Sequence, residues 1–209
     1  STLNNKAVVW LDAKNILANS SNTNSLATNT VKTWINKITP SNSATLRTGT
    51  GATYSSDSLS FISSDLTLEG FNPNASSNPI WSFILVASMP SDADLNANQN
   101  QYIFGADNGN WDFALGYYNG TFSVFGGQNA VPISLGSVAS GKKIITGVLD
   151  HEDKTLDIWI NGTHAANKVT TSYDTFNSEL TIGSEAFGPN YWKGSLYELI
   201  IFNDELSSD

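Results

Sequence analysis

Short apolar runs recur along the whole chain, and clusters of Asn, Ser, Gly and Asp separate them. The runs are rich in Val, Ile, Phe, Trp and Tyr, the residues that pack well on a pleated strand. The pattern predicts strands at 7–12, 58–62, 81–88, 101–105, 111–118, 121–126, 143–150, 155–161, 179–183 and 195–202. So many strands joined by turns indicate an all-β fold, a two-sheet antiparallel β-sandwich.

Two of the predicted turns are specific enough to define hairpins. Asn119-Gly120 separates two apolar runs, and this dipeptide accepts the positive φ angles of a type I′ turn. The polar segment 151–154 separates two others and is long enough for a hairpin loop. Both turns predict antiparallel pairing in the middle of the chain.

Charge and composition narrow the classes of function. Only 14% of the residues are charged, against about 25% in an average globular domain, and Asn, Ser, Thr and Gly supply most of the polar positions. The net charge of -9 would repel a phosphate backbone, so we exclude nucleic acid as a partner. No apolar stretch approaches the length of a membrane span, so we expect no membrane insertion. Cysteine is absent, which excludes disulfides and thiolate chemistry.

The 209 residues are enough to bury one large core, and no change of composition divides them. We therefore expect residues 1–209 to form a single domain. The chain starts at Ser1 without an initiator Met and ends at Asp209, soon after the last predicted strand. These ends favour a domain excised from a longer polypeptide, which leaves a multidomain chain or an oligomer open.

Several segments carry motifs that recur in a known family. The motif VWLDA at 9–13 is followed by VKTWINK at 31–37, and together they resemble the laminin-G-like domains of bacterial and phage surface proteins. The segment 192–203 is similar to the terminal strand of that family. Further segments that share the resemblance are 81–87, 111–127, 155–162 and 180–183. The resemblance implies a concanavalin A-like jelly roll in an extracellular protein, on a cell surface or a virion surface.

The resemblance also defines what catalysis would require. Glycoside-hydrolase relatives carry two catalytic carboxylates on one strand, and this sequence has no Glu-x-Asp-x-Glu run. The acidic clusters at 150–153 and 204–209 are typical of solvated turns. Glu198 shares strand parity with Leu196 and Ile200, which predicts either a catalytic acid or, as we favour, a structural carboxylate bonded to backbone or a tyrosine hydroxyl. We predict no catalytic residues and a protein that is not an enzyme.

The oxygen-rich loop at 106–112 is the best candidate for a metal site. Carboxylate and amide oxygens suit Ca²⁺, and related laminin-G and lectin folds often carry this ion, so Asp107, Asn110 and Asp112 are the candidate ligands. The alternative is that Asp-Asn-Gly-Asn only forms a turn between two strands. His151 and His164 lack the spacing of zinc ligands or of a catalytic triad. Calcium is the only cofactor that the sequence suggests.

Sugar binding needs an aromatic face for the apolar side of a pyranose and amide groups for its hydroxyls. Such pairs of aromatic and amide residues occur beside predicted turns. The candidate ligand-binding residues are Trp111, Asn108, Asn110, Tyr118, Asn190, Tyr191 and Trp192. Core packing is the alternative for Tyr191 and Trp192, and it is the preferred interpretation for Trp10, Trp34, Trp81 and Trp159.

Three hypotheses of function follow from these observations. The first is a non-catalytic extracellular recognition module that binds a glycan or another surface ligand. The second is a structural or adhesive domain that binds a surface protein in a virion or cell-surface fibre. The third is a glycosidase or polysaccharide lyase on the same fold, against which the missing carboxylate strand counts.

Overall fold

The computed structural model describes residues 7–16, 28–55, 57–72, 80–91, 100–106, 113–126, 130–133, 141–150, 152–166, 179–185, 188 and 190–206. Their strands form two antiparallel sheets. Sheet A contains β1 (Ala7–Asp12), β2 (Thr30–Val31), β5 (Ala52–Ser55), β6 (Ser58–Ser60), β8 (Ile80–Met89), β13 (Gly141–Asp150), β14 (Thr155–Ile160), β15 (Thr163–Ala166) and β17 (Ser195–Phe202). Sheet B contains β3 (Thr33–Trp34), β4 (Ala44–Thr48), β7 (Asp65–Leu68), β9 (Gln101–Ala106), β10 (Phe113–Tyr118), β11 (Thr121–Gly126), β12 (Ala130–Pro132) and β16 (Leu180–Ile182).

Two short 3₁₀ turns, Ala13–Asn15 and Pro40–Asn42, are the helical elements of the described residues. Within the same residues, no helix is long and apolar enough to cross a membrane. The predicted all-β, two-sheet antiparallel sandwich is confirmed.

The strand order shows how the chain closes the sandwich. Sheet A runs β15-β14-β13-β8-β17-β6-β5-β2, with β1 paired to β17 beside this path, and sheet B runs β12-β11-β10-β9-β16-β7-β4-β3. The two long strands β8 and β13 pair over their whole length. At the centre of sheet A, β8 also pairs with β17 on its other side. The first and last strands of the described chain are therefore direct neighbours.

Both predicted hairpins are present. Tyr118 pairs with Thr121 around the Asn119-Gly120 turn, where φ is 48° at Asn119 and 76° at Gly120. Positive φ at both central residues is the signature of the type I′ turn. The β13–β14 hairpin closes with the Asp150–Thr155 pair, as the sequence indicated.

The core lies between the inner faces of the two sheets. Alternate residues of β8 point into it, and Trp81 and Phe83 are both fully buried. Their rings meet sheet B edge-on, with centroid distances of 4.8 Å from Trp81 to Phe113 and 5.2 Å from Phe83 to Phe104. These are the separations and angles at which aromatic pairs attract beyond simple burial.

The prediction that four tryptophans belong to the core is half right. Trp34 and Trp81 are fully buried, whereas Trp10 and Trp159 are only partly buried. The reason is strand alternation, because the neighbours of Trp10 on β1, Val9 and Leu11, occupy the inward positions. Trp10 and Trp159 lie on the outer face of sheet A, the face turned away from sheet B.

The outer face of sheet B is covered over its centre. Tyr102, Ala114 and Phe125 form a buried apolar cluster separate from the main core, and Tyr118 packs against it. The chain before β17 crosses this face, where the backbone N–H of Tyr102 donates to the carbonyl of Asn190 at 3.1 Å. The outer face of sheet A has no buried apolar cluster of this kind among the described residues.

Candidate functional site

A β-bulge in β17 shapes the site. Leu196 pairs with Ala87 and Glu198 pairs with Val86, which are consecutive residues of β8, so Tyr197 is an extra residue on β17. At the same place β17 exchanges its other neighbour, from β6 along 195–196 to β1 along 198–202. A bulge bends the strand and redirects its side chains.

The bulge corrects the expected parity of Glu198. Leu196 is fully buried in the core, whereas Glu198 is only partly buried and lies on the outer face with Ile200. The extra residue breaks the alternation that would have placed Leu196 and Glu198 on one side. The carboxylate bonds to a tryptophan, and not to backbone or a tyrosine hydroxyl as expected: Nε1 of Trp10 donates to Oε1 of Glu198 at 2.8 Å.

A pocket of about 370 Å³ opens on this face, beside the bulge. Its volume is in the range of small-molecule binding sites, roughly 300–1,000 Å³. Charged side chains and one aromatic ring surround it. The lining residues are Asp12, Lys14, Asp57, Val86, Lys142, Tyr197 and Glu198.

The Asp12 carboxylate is held in place by three donors. Its Oδ1 accepts from the backbone N–H of Lys14 at 2.9 Å, which caps the first 3₁₀ turn. Its Oδ2 accepts from the amide of Asn15 at 3.2 Å and from the ammonium of Lys37 at 3.3 Å. Because its side chain is only 17% exposed, the carboxylate is a fixed hydrogen-bond acceptor at the wall of the pocket.

Asp12 and Glu198 are direct cross-strand partners. In an antiparallel pair, opposite residues have Cβ atoms about 4.5–5.5 Å apart, and like charges there destabilise the sheet. Donors from Trp10 and Lys37 offset part of that repulsion. Two anchored carboxylates therefore stand side by side at a cost to stability, which is a common property of binding sites.

Lysine side chains cover the aromatic rings near the pocket. The ammonium of Lys142 lies 3.6 Å from the ring centre of Tyr197, and that of Lys37 lies 3.8 Å from the ring centre of Trp10. Such cation–π contacts are worth about 0.5–1 kcal/mol at exposed sites. A ligand can therefore displace the Lys142 ammonium at small cost, whereas Lys37 is also bound to Asp12.

The third carboxylate comes from the turn between β5 and β6. Asp57 adopts the left-handed backbone conformation, with φ at 65°, and its Oδ1 accepts from the Tyr54 hydroxyl at 3.1 Å. Burial raises the pKa of Tyr54 above its ordinary value, and the hydrogen bond and negative charge of Asp57 add to the rise. The Tyr54 hydroxyl is thus a stable donor that positions Asp57 at neutral pH.

The predicted loop site cannot be compared with this geometry. Asp107, Asn108, Asn110, Trp111 and Asp112 lie outside the described residues. Calcium binding by this loop stays a prediction. In the part of the chain that the structure describes, no group of three or more Asp, Glu or His residues could hold a metal ion.

The prediction of Trp192 as a displayed aromatic is wrong. The side chain is fully buried, and its ring stacks on Tyr117 with centroids 6.0 Å apart and planes 18° apart. Phe122 packs against the same ring at 6.5 Å. The backbone N–H of Trp192 donates to the carbonyl of Gly183 at 2.9 Å, and the buried ring offers no face to a ligand.

Three other predicted residues remain partly exposed, but their polar groups are engaged. The amide of Asn190 donates to the carboxylate of Glu185, and the hydroxyls of Tyr191 and Thr48 share a hydrogen bond of 3.3 Å. The ring of Tyr118 packs edge-on against Phe125 at 5.3 Å. These residues belong to the cover of sheet B.

The fold also separates the members of the predicted set. Tyr118 ends β10, whereas Phe113, which follows the predicted 106–112 segment, begins it about 17 Å away at the rise of a strand. None of the seven lining residues of the sheet A pocket was among the predicted binding residues. The sequence did hold one signal for that pocket. Trp10 and Asp12 are two residues apart on β1, so strand alternation places both on the outward face.

The family model described as the concanavalin A-like lectin/glucanases superfamily matches residues 47–209. The chain belongs to this superfamily. The match includes Asp57, Lys142, Tyr197 and Glu198 of the pocket but begins after β1, which carries Trp10 and Asp12. No curated protein sequence matches the chain significantly.

Solved structures share the fold at low sequence identity. A mutant of Trypanosoma rangeli sialidase displaying trans-sialidase activity is 14% identical with a TM-score of 0.68, over 98% of this chain and 32% of that one. Trypanosoma rangeli sialidase itself is 13% identical with a TM-score of 0.67, over 98% and 31%. A point mutant of HCR/D is 14% identical with a TM-score of 0.60, over 98% and 49%. The chain thus spans about a third of the sialidases and half of HCR/D, and the likeness is one of fold.

Proposed function

We propose that this chain is a non-catalytic carbohydrate-recognition module, and that the pocket at the β17 bulge is its binding site. One observation carries the proposal: carboxylates held by their own donors, two ammonium groups and an aromatic ring line a single pocket of about 370 Å³. As part of the proposal, the module acts outside the cell, on a cell or virion surface, as the low charge content favours.

A sugar requires several hydrogen-bond acceptors and donors at fixed positions beside an apolar surface. Asp12 and Glu198 supply acceptors that are already held by their own donors, so they lose little freedom when a hydroxyl binds. Lys14 and Lys142 supply donors, and Tyr197 and Val86 supply the apolar surface. This combination matches a pyranose better than a purely apolar ligand.

The charges favour a neutral sugar over an acidic one. Three carboxylates and two ammonium groups line the pocket, and the whole chain carries -9. Both the local and the overall field therefore oppose an anionic glycan. The superfamily description, which names lectins and glucanases, supports a carbohydrate ligand in general terms.

Isothermal titration with neutral oligosaccharides, after a glycan-array screen, tests the proposal. Glu198→Gln and Asp12→Asn should each weaken binding about five- to thirtyfold, because hydrogen bonds to a charged acceptor are worth more than those to a neutral one by about 1–2 kcal/mol. Glu152→Gln, which removes a carboxylate from an exposed turn outside the pocket, is the matched control. Unchanged affinity in both folded pocket variants would refute the site.

A second function is favoured by the cross-strand position of Asp12 and Glu198. Opposite residues of an antiparallel pair lie on one face of the sheet, so Asp12 and Glu198 present two carboxyl groups to one pocket, as the paired carboxyl groups of a retaining glycosidase do. An assay for newly released reducing ends distinguishes the two functions. Hydrolysis that Glu198→Gln abolishes would replace the recognition-only proposal with a glycosidase.

A further inference from the structure

A straight row of side chains crosses the outer face of sheet A. Trp10 pairs with Ile200, Ile200 with Ile84, Ile84 with Thr146, and Thr146 with Trp159. The row therefore has one residue on each of β1, β17, β8, β13 and β14. All five side chains are partly buried, and none is charged.

The two tryptophans stand at the ends of this row. Neighbouring strands are about 4.8 Å apart, so the four steps from β1 to β14 place the tryptophans about 19 Å apart. That length corresponds to several pyranose rings joined in a chain. Ile200, Ile84 and Thr146 form a low surface between the two rings.

The row is continuous with the pocket. Trp10 donates to Glu198 at 2.8 Å, and Val86 of the pocket lies two residues along β8 from Ile84. At the far end, the ring of Trp159 lies 5.2 Å from that of His164, whose Nε2 is 2.9 Å from Oδ1 of Asp157. Each end thus combines an indole ring with polar groups that can bond hydroxyls.

We infer that the ligand is a linear chain of neutral sugars that lies along this row, from the pocket to Trp159. The inference rests on the proposed function and extends it from a single pocket to an elongated site. Trp159 would stack on one sugar, and Trp10, with Lys37 over its ring, would border the sugar held in the pocket. The uncharged middle of the row would leave room for the neutral rings between them. A broad protein interface is less suited to the row, because the charged pocket borders it on one side and Asp157 borders its β14 end on the other.

Sheet twist selects the physical form of the glycan. Adjacent strands rotate by roughly 20°, so four steps turn the two tryptophan positions by roughly 80° relative to each other. A flat crystalline surface cannot contact both rings at once. A single soluble chain can follow the twist, so a soluble polysaccharide is the expected ligand.

The decisive experiment is a chain-length series of neutral gluco-oligosaccharides, from disaccharide to hexasaccharide, measured by calorimetry on the intact chain. In the wild type, affinity should rise about tenfold or more once the oligosaccharide reaches both ends of the row. Trp159→Ala should abolish this gain and leave the affinity for the disaccharide unchanged. Trp159→Phe should restore much of it, and Ile62→Ala, which removes an exposed apolar side chain elsewhere, should keep the whole gain.

The outcomes separate this inference from the proposed function. A length gain that survives in Trp159→Ala, or affinity independent of length, overturns the elongated site but leaves the pocket as a sugar site. Failure of every member of the series to bind overturns both. Thermal melts of each variant should match the wild type, since Trp159 is only partly buried.

Discussion

Removing the charge of Glu198 should weaken ligand binding and, at the same time, stabilise the fold. The residue stands opposite Asp12 on β1, and like charges in direct cross-strand pairs oppose sheet formation. In Glu198→Gln, the amide oxygen can still accept from the indole N–H of Trp10. The substitution therefore removes the repulsion and keeps the contact. The bond to Trp10 loses little when its acceptor becomes neutral, because the partly exposed carboxylate is already screened by solvent in the free protein.

The size of the effect follows from these two contacts. A cross-strand pair contributes roughly 0.2–1 kcal/mol, and solvent screening of partly exposed charges keeps the value in the lower half of that range. The free energy of unfolding should therefore rise by about 0.5 kcal/mol. With a urea m value of about 2 kcal/mol/M, the denaturation midpoint should increase by about 0.25 M.

Urea denaturation followed by tryptophan fluorescence measures this shift, with Glu152→Gln as the control for loss of one exposed carboxylate. A double-mutant cycle with Asp12→Asn isolates the pairwise interaction from other effects of each substitution. If the pair repels, the double variant should gain less stability than the sum of the two single gains.

A loss of more than about 1.5 kcal/mol in Glu198→Gln would refute this reasoning, because a structural hydrogen bond to a charged group is worth roughly 1.5–3 kcal/mol. In that case the carboxylate would be required to hold Trp10, and its role would be to maintain the β1–β17 pair. The binding data would then have to be interpreted through the fold.

Three further outcomes are expected. Gly147→Ala should lower the free energy of unfolding, measured in urea, by about 1–3 kcal/mol, because the added Cβ would lie 2.3 Å from the Phe83 ring. An unchanged urea midpoint would show that the ring can move away. Trp192→Ala should cost about 3–5 kcal/mol and lower the melting temperature, whereas a stable variant with reduced sugar affinity would restore Trp192 to the binding site. Because folding raises the pKa of Tyr54, its contribution to stability is complete below the unfolded pKa near 10 and is lost as the pH rises through the folded pKa. Tyr54→Phe should therefore flatten the fall in stability above that pH. Parallel stability curves for the wild type and the variant would contradict the Asp57 contact.

The long strands and the tight turn were predictable because local rules determine them. Apolar runs such as β8 and β14 alternate strongly enough to show their inward face, and Asn119-Gly120 prefers the conformation that its turn requires. The short strands β2, β3, β4, β5, β7, β12 and β15 were missed. They have two to five residues, many of them Thr or Ala, and they are strands because their neighbours pair with them.

The candidate site shows the same division. Sequence alone placed an indole and a carboxylate close together in the 9–13 motif and singled out Glu198, but it assigned Trp10 to the core and treated Glu198 separately. Trp10 and Glu198 are 188 positions apart in the chain, and Asp12 and Glu198 are 186 positions apart. Only chain closure between the first and last strands brings them together.

The sequence by itself determined the all-β class, the antiparallel hairpins and most of the inward positions, because alternation and turn chemistry act between residues near each other in the chain. Tertiary structure decided which aromatic residues reach solvent, burying Trp192 against Tyr117 while leaving Trp10 and Trp159 partly exposed. It also decided where the carboxylates meet, because the extra residue at Tyr197 reverses the local parity of β17. A bulge, a change of strand partner and a stacking contact each depend on atoms distant in the sequence, so no local pattern can specify them.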